Sequence, residues 1–422
     1  MSTNKVSEKV IAVGVVLPDQ TRRVAEEHLD ELEKLIETAG GVVVAKVLAK
    51  RDAPDAATWI GSGKAEEIGR LAGNQRATLV VFDDDLSPAQ TRNLEKIIGG
   101  KVIDRSALIL DIFAGRARSR EARTQVELAQ LEYMLPRLTR QWSHLERQAG
   151  GIGTRGVGET QLEIDRRIVR NRISQLKSEL QKIERTRQTQ RKARGAVFTV
   201  ALVGYTNAGK STLFNRLTGG SAWAVDKLFA TLDAKSQRMS FPMPRATVVI
   251  DTVGFVRKLP HHLVASFRST MEEAVSADLV LHVIDSTHEE QREVGSEVLR
   301  NLGIPEERVI EVYNKRDVEP PLRRLEPAES RLYVHISALT GDGIDQLVDI
   351  IHERELAGGE VVDLEIPHDE SRALAKLHEV AEVYAQRPAD RATHITAWIP
   401  KTALHQFAHF SLSNFRKRAK VG

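Results

Sequence analysis

VALVGYTNAGKSTLFNRL, residues 200–217, is an apolar run that breaks into Gly204-x-x-x-x-Gly209-Lys210-Ser211 and resumes at once as a helix-forming segment. Strand, glycine-framed loop and helix, in that order, are what a phosphate-binding loop requires. Gly204 and Gly209 let the backbone of Tyr205, Thr206, Asn207 and Ala208 wrap so that successive N–H groups point inward at phosphate oxygens. The start of the following helix adds its partial positive charge. Lys210 is placed to reach the β- and γ-phosphates and the Ser211 hydroxyl to ligate Mg²⁺, with Thr212 beside it at the helix start. One such unit commits the surrounding chain to a parallel α/β fold, and strand–helix alternation does run from about residue 196 to 356.

Four further elements follow in the order a guanine-nucleotide enzyme needs. In LFATLDAK (228–235), Phe229 and Thr231 lie in a loop where a threonine can cap Mg²⁺ and sense the γ-phosphate. VVIDTVGF (248–255) puts Asp251 at a strand end to hold the magnesium shell and leaves the Gly254 N–H to meet the γ-phosphate. Such contacts exist only with triphosphate, so these loops are expected to reorder on hydrolysis. VIEVYNKRD (309–317) supplies Asn314, Lys315 and Asp317. The Asp317 carboxylate can accept from guanine N1–H and the 2-amino group, donors that adenine lacks, so ATP would leave it unpaired at a cost of about 1–3 kcal/mol. Asn314 holds the base edge or braces the phosphate loop, and the Lys315 stem covers one base face. VHISALTGDG (334–343) places Ser337 and Ala338 where a backbone N–H can meet guanine O6. Lys210, Thr231 and Gly254 are the residues expected to act on the reacting phosphate. The position after Gly254, where Ras-like enzymes carry a water-orienting glutamine, is Phe255, so a low basal rate is expected, with water positioning or charge supplied from elsewhere.

Composition frames this site. A chain of 422 residues holds two to four domains. With no cysteine, disulfides, thiolate metal sites and cysteine nucleophiles are excluded. The start lacks the apolar run of a signal peptide and the longest apolar run is too short to span a bilayer, which reads as a soluble, cytoplasmic chain, with membrane association only through partners. The net charge of +3 is uneven: residues 116–195 carry 19 Lys and Arg against 9 Asp and Glu, a net of +10. A field concentrated in this way suggests a polyanionic partner.

Four regions are expected. Residues 1–115 alternate strands (VIAVGVVLP, VVVAKVLA, ATLVVF, KVID) with helices near 20–39, 64–73, 87–98 and 106–114, a small parallel α/β domain. Residues 116–195 carry two seams of apolar residues stepping by three and four, Leu128 to Leu145 and Val169 to Ile183, which predict an antiparallel helical hairpin with Pro136 kinking or splitting its first arm. Residues 196–356 form the G domain. ERELAGGEVV (353–362) reads as a linker to an α+β module over 357–422, with a strand, one helix over 371–386, a second strand and a final helix ending in FRKRAK.

The segments GYTNAGKSTLFNRLT, LFATLD, DTVGFVRKLP and NKRD resemble the Obg–HflX branch of P-loop GTPases. GSGKAEEI (61–68), DDDLSPAQTRNLE (83–95), VIDRSALILDIFAGRA (102–117), QVELAQLEY (125–133) and GGIGTRGVGETQLEIDRR (150–167) narrow the resemblance to the HflX family. It implies a GTP- and GDP-binding hydrolase that binds the large ribosomal subunit and its 23S rRNA and dissociates stalled 70S ribosomes under stress such as heat; a monomer is expected. Some members also bind ATP or remodel RNA, which keeps a second nucleotide site open near Gly61-Ser62-Gly63-Lys64, although a helix-entry turn fits that stretch better. GTPases with a hydrophobic residue in place of the glutamine and an asparagine at the Asn207 position use K⁺, which by that likeness makes K⁺ a cofactor here beside Mg²⁺. A partner is the other source of the missing group. The loop QAGGIGTRGVGETQ (148–161) spells GxGxxG but follows no strand, so a dinucleotide turn is excluded. Lifted on a basic hairpin, Gly153, Arg155 and Gly156, with Arg166 and Arg167 behind them, form an expected RNA-contacting tip. RNA remodelling, and signalling through protein partners, stand as the alternative functions.

Overall fold

The computed structural model describes residues 7–138, 161–193, 197–220, 228–229, 231–241, 243, 246–257, 271–318 and 332–412. The fold is mixed α/β, as expected, and packs as two compact units. The first comprises Met1–Ile183 with Val225–Asp233 and Val256–Arg268; the second comprises Glu184–Ala224, Ala234–Phe255 and Ser269–Gly422.

In the first unit, strands β1 (Lys9–Val16), β2 (Val42–Lys50), β3 (Leu79–Phe82) and β4 (Lys101–Asp104) form a parallel sheet in the order β2-β1-β3-β4. Helices α1 (Arg22–Ala39), α2 (Ser62–Gln75), α3 (Pro88–Ile98) and α4 (Arg105–Arg116) connect or follow them. Helix starts are written into the chain: the Thr21 hydroxyl caps α1, Ser87 and Gln90 form a reciprocal capping box at α3 with Pro88 in its first turn, and Asp104 caps α4. Ile11, Val13, Val80 and Phe82 fill the core from the sheet, with Ile68 and Leu94 from the helices. GSGK proves to be the entry turn of α2, with Lys64 paired to Glu67 at 2.7 Å.

Helix α5 (Arg120–Met134) ends in a 3-10 turn, Leu135–Arg137, that contains Pro136. The second arm is α6 (Gln161–Ala193). Two ion pairs follow an antiparallel order, Arg120 to Glu179 at 2.5 Å and Glu127 to Arg172 at 2.7 Å, and a third joins Glu132 to Lys177 at 2.8 Å. Leu128 and Leu176 are buried in the seam. Residues 139–160, with Trp142, Leu145, Gly153, Arg155 and Gly156, lie outside the described residues, as do His261, His262 and the terminal FRKRAK.

Two segments that the sequence assigns to the G domain pack into this first unit. Arg105, 1% exposed, donates to Asp83 at 2.6 Å and to Glu31 at 2.7 Å, and Arg257 donates to the other Asp83 oxygen at 2.9 Å. Phe229, buried at a positive φ of 54°, meets the Phe113 ring edge-on at 4.6 Å. The Asp233 carboxylate accepts from the backbone N–H groups of Arg118 and Ser119 at 2.9 and 3.2 Å, just ahead of α5. Thr231 is buried in the same unit.

In the second unit, six strands run in the order β10-β9-β8-β5-β7-β6. They are β5 (Phe198–Gly204), β6 (Lys235–Arg238), β7 (Thr247–Asp251), β8 (Leu279–Asp285), β9 (Val309–Asn314) and β10 (Tyr333–His335); only β6 is antiparallel to its neighbour. Helices α7 (Lys210–Thr218), α8 (Glu289–Asn301) and α9 (Ile344–Ala357) complete this part.

The C-terminal module corrects two expectations. No linker spans 353–362: α9 runs to Ala357 and β11 (Gly359–Pro367) begins after Gly358 alone. The glycine at 359 serves packing, since any side chain there would collide with the Trp398 ring and the Ile399 carbonyl. Nor is 371–386 one helix. Helix α10 (Ser371–Val380) stops, and β12 (Glu382–Pro388) pairs with β13 (Ala392–Pro400), giving an antiparallel sheet β11-β13-β12 that is completed by α11 (Lys401–Phe407). The Glu382 carboxylate accepts from the Ala246 N–H at 2.8 and 3.1 Å.

Candidate functional site

Three loops at the C-terminal edge of the six-stranded sheet meet in the second unit: the β5–α7 loop, the end of β7, and the ends of β9 and β10. In the first, Gly204 has φ 146° and Gly209 φ 95°, so both need the freedom of glycine. A side chain at Gly204 would strike the Val283 carbonyl of β8, and one at Gly209 the Asn314 amide. Asn207, at φ 63°, holds an exposed side chain at the crest, while Tyr205, Thr206 and Ala208 are buried. Lys210, just inside α7, donates to the carbonyls of Gly204 and Tyr205 at 3.0 and 2.7 Å. Burial lowers its pKa from 10.5 to about 8, against the opposing charge of Asp251.

Ser211 Oγ donates to Asp251 Oδ2 at 2.9 Å, so a hydroxyl and a carboxylate converge from two elements. Both are hard oxygen donors, the set Mg²⁺ prefers. Thr212 follows Ser211 in the first turn of α7. Gly254 packs against the β5–α7 loop so closely that a Cβ there would lie 2.7 Å from Thr206 Cγ2 and 2.9 Å from Lys210 Nζ. A backbone bridge fixes this approach: Phe255 N–H donates to the Gly204 carbonyl at 2.9 Å, and Thr206 N–H to the Phe255 carbonyl at 2.7 Å.

Asn314 resolves the alternatives left by the sequence, for it braces the loop. Its Nδ2 donates to the Ala208 carbonyl at 2.8 Å and its Oδ1 accepts from the Ala338 N–H at 2.9 Å. That N–H, expected to point at guanine O6, is directed to Asn314 here. Ser337 Oγ donates to Asp317 Oδ1 at 2.5 Å and so orients an exposed carboxylate. Lys315, at φ 67°, pairs with Asp285 Oδ2 at 2.7 Å. Burial opposes ionisation of Asp285, but hydrogen bonding from His288 and the charge and hydrogen bond of Lys315 hold its carboxyl well below the usual range.

The structure thus brings together Gly204–Thr212, Asp251, Gly254, Asn314, Lys315, Asp317, Ser337 and Ala338 in the second unit, while Phe229 and Thr231 fall in the first. Of the basic hairpin residues, Arg166 is half-buried and donates to the Leu138 carbonyl at 2.7 Å; Arg167 is exposed. Two contributors escaped the sequence reading. Asp285 had a signal, an acid at the end of an apolar strand. Arg216, which holds the Ala338 and Leu339 carbonyls at 3.3 and 2.5 Å, had none.

Comparison with known proteins identifies the family. Three family models match consecutive stretches within residues 26–315: "GTP-binding GTPase N-terminal" over residues 26–114, "GTP-binding GTPase Middle Region" over 116–194 and "50S ribosome-binding GTPase" over 199–315. GTPase HflX of Caldanaerobacter subterraneus subsp. tengcongensis is 42% identical over 411 residues, covering 96% of this chain and 94% of its own. GTPase HflX of Escherichia coli (strain K12) is 46% identical over 368 residues, 85% of this chain and 86% of its own. A solved GTP-binding protein from Sulfolobus solfataricus in complex with GDP is 26% identical, with a TM-score of 0.42 over 82% of this chain and 98% of its own. With relatives this similar over nearly their full length, and with a phosphate loop and a guanine-type base loop held in register by Asn314, the chain belongs to the HflX family of GTPases.

Proposed function

We propose that this GTPase is a nucleotide-switched factor that docks on the large ribosomal subunit through its basic hairpin and, in the GTP state, dissociates stalled 70S ribosomes, as under heat stress. The observation that carries the reading is the hairpin's attachment. The antiparallel arm α6, part of a segment with a net charge of +10, ends four residues before β5, the strand that delivers the phosphate loop. An RNA-binding prong and a phosphate sensor are therefore consecutive in the chain. Glycines 153 and 156 with Arg155 at the tip, and Arg166 and Arg167 behind it, are its rRNA-facing residues.

In the nucleotide site, loop N–H groups between Tyr205 and Thr212, other than that of Thr206, hold the phosphates together with the Lys210 ammonium. Asp317 and Ser337 select guanine, Lys315 covers the base, and the Gly254 N–H meets the γ-phosphate. Ser211 and Asp251 would hold Mg²⁺, which neutralises charge on the β- and γ-phosphates when bound. Asn207, whose exposed side chain offers an amide oxygen, would hold K⁺. Equal turnover in equimolar KCl and NaCl would remove K⁺ from the scheme; faster turnover in KCl that is lost in Asn207→Ala would support it.

Light scattering of 70S particles tests the function. The wild-type chain with GTP or a non-hydrolysable analogue is expected to lower the signal as subunits separate, and with GDP to leave it unchanged. Separation that ignores the nucleotide, or none at all, contradicts the proposal. RNA-stimulated ATP turnover that survives Lys210→Ala would favour RNA remodelling instead.

A further inference from the structure

Phe255, at the position where a glutamine would orient the attacking water, is 1% exposed and has no polar side-chain atom to offer. Thr206 stands beside the gap. It is 3% exposed, and its Oγ1 is buried with no hydrogen-bond partner among the described residues. Neighbouring hydroxyls are not in that state: Ser211 Oγ donates to Asp251 at 2.9 Å and Thr252 Oγ1 to the Leu202 carbonyl at 2.7 Å. A buried hydroxyl without a partner is costly and rare in a native fold, and at a functional site it marks a group awaiting one.

The side chain lies beside Gly254: its Cγ2 is 2.7 Å from where a Cβ of residue 254 would stand, and the same point lies 2.9 Å from Lys210 Nζ. Its own N–H is tied to the Phe255 carbonyl at 2.7 Å. The Thr206 methyl, the Lys210 ammonium and the Gly254 backbone therefore converge at one point, and the unpartnered hydroxyl is carried by the same Thr206 side chain. A hydroxyl both donates and accepts, so it can take a hydrogen bond from a water while giving one to a phosphate oxygen.

We propose that Thr206 is a catalytic residue whose hydroxyl orients the water that attacks the γ-phosphoryl group, the task that Phe255 cannot perform. The water oxygen bonds to the γ-phosphorus as the bond from phosphorus to the β,γ-bridging oxygen breaks. GDP leaves with that electron pair, and the water's proton ends on inorganic phosphate. The proposal rests on the guanine-nucleotide reading of the site, which the wild-type rate checks separately.

The test uses the full chain with GTP and Mg²⁺. Thr206→Val keeps the shape and removes the hydroxyl; Thr206→Ser keeps the hydroxyl and removes the methyl. For Thr206→Val, kcat is expected to fall on the order of 100-fold. Its KM and GDP affinity should stay within about twofold, and it should no longer trap GDP with aluminium fluoride. Thr206→Ser should keep kcat within about fivefold, on the same reading. Wild-type turnover by Thr206→Val overturns the proposal. So does an equal loss in both variants, or a Thr206→Val defect confined to GDP affinity, since each of these assigns Thr206 a packing role only.

Discussion

Lys210 carries a charge in a place that disfavours it. With its pKa lowered from 10.5 to about 8 by burial, the folded chain releases the proton before the unfolded chain does. Its cost to stability is therefore full below pH 8 and falls away as pH rises from 8 to 10.5, so this group makes stability increase with pH over that window. Phosphates reverse the balance by favouring the ammonium. Nucleotide binding above pH 8 is thus expected to take up protons and to weaken by up to about tenfold per pH unit. Calorimetry of GDP binding at pH 8.5, in buffers of different ionisation enthalpy, measures this; a binding enthalpy independent of the buffer would contradict it. Asp317, oriented by Ser337, gives a second test. Asp317→Asn exchanges acceptor for donor and is expected to move preference from guanine to xanthine nucleotides, whereas unchanged GTP affinity would take Asp317 out of the base site. Such residues were legible because the backbone demands them: Gly204 and Gly209 occupy conformations and contacts that no side chain tolerates.

Elements were legible where the signal was local and hidden where it was not. The four-stranded N-terminal sheet and its helices follow from alternation and caps such as Ser87, all within a few residues. β12 was read as helix because Ala, Val, Glu and Gln over 381–386 suit either state; what decides is pairing with β13 and the bond from Ala246, 136 positions away in sequence. Likewise, nothing in the sequence announces that Arg257 pairs with Asp83, 174 positions away. That network gives the prediction at this scale. Arg105 and Arg257 share the carboxylates of Asp83 and Glu31, and all four side chains are largely shielded from water. Arg257→Ala strips a guanidinium from buried carboxylates and is expected to destabilise the first unit by about 3 kcal/mol. Arg257→Met, which refills the volume but not the charge, should recover little, as the carboxylates stay buried. Urea unfolding of the full chain checks this, and a change below about 0.5 kcal/mol for Arg257→Ala would show that the pairing contributes nothing net.

Across the whole molecule, charge separates a cationic hairpin from a remainder that is net acidic. No helix among the described residues is long and apolar enough to cross a membrane. If the hairpin meets rRNA phosphates, affinity for the large subunit falls with salt, and replacing Arg155 and Arg167 by Glu flattens that dependence as well as weakening binding. A slope unchanged by those substitutions would move the contact elsewhere. The measurement that bears most directly on the central claim, that the bound nucleotide sets affinity for the ribosome, is sedimentation through sucrose with purified large subunits at moderate salt. The chain is expected to travel with the subunits under a non-hydrolysable GTP analogue and to stay at the top of the gradient under GDP. Equal distribution under the two nucleotides, or no co-migration under the analogue, would contradict it.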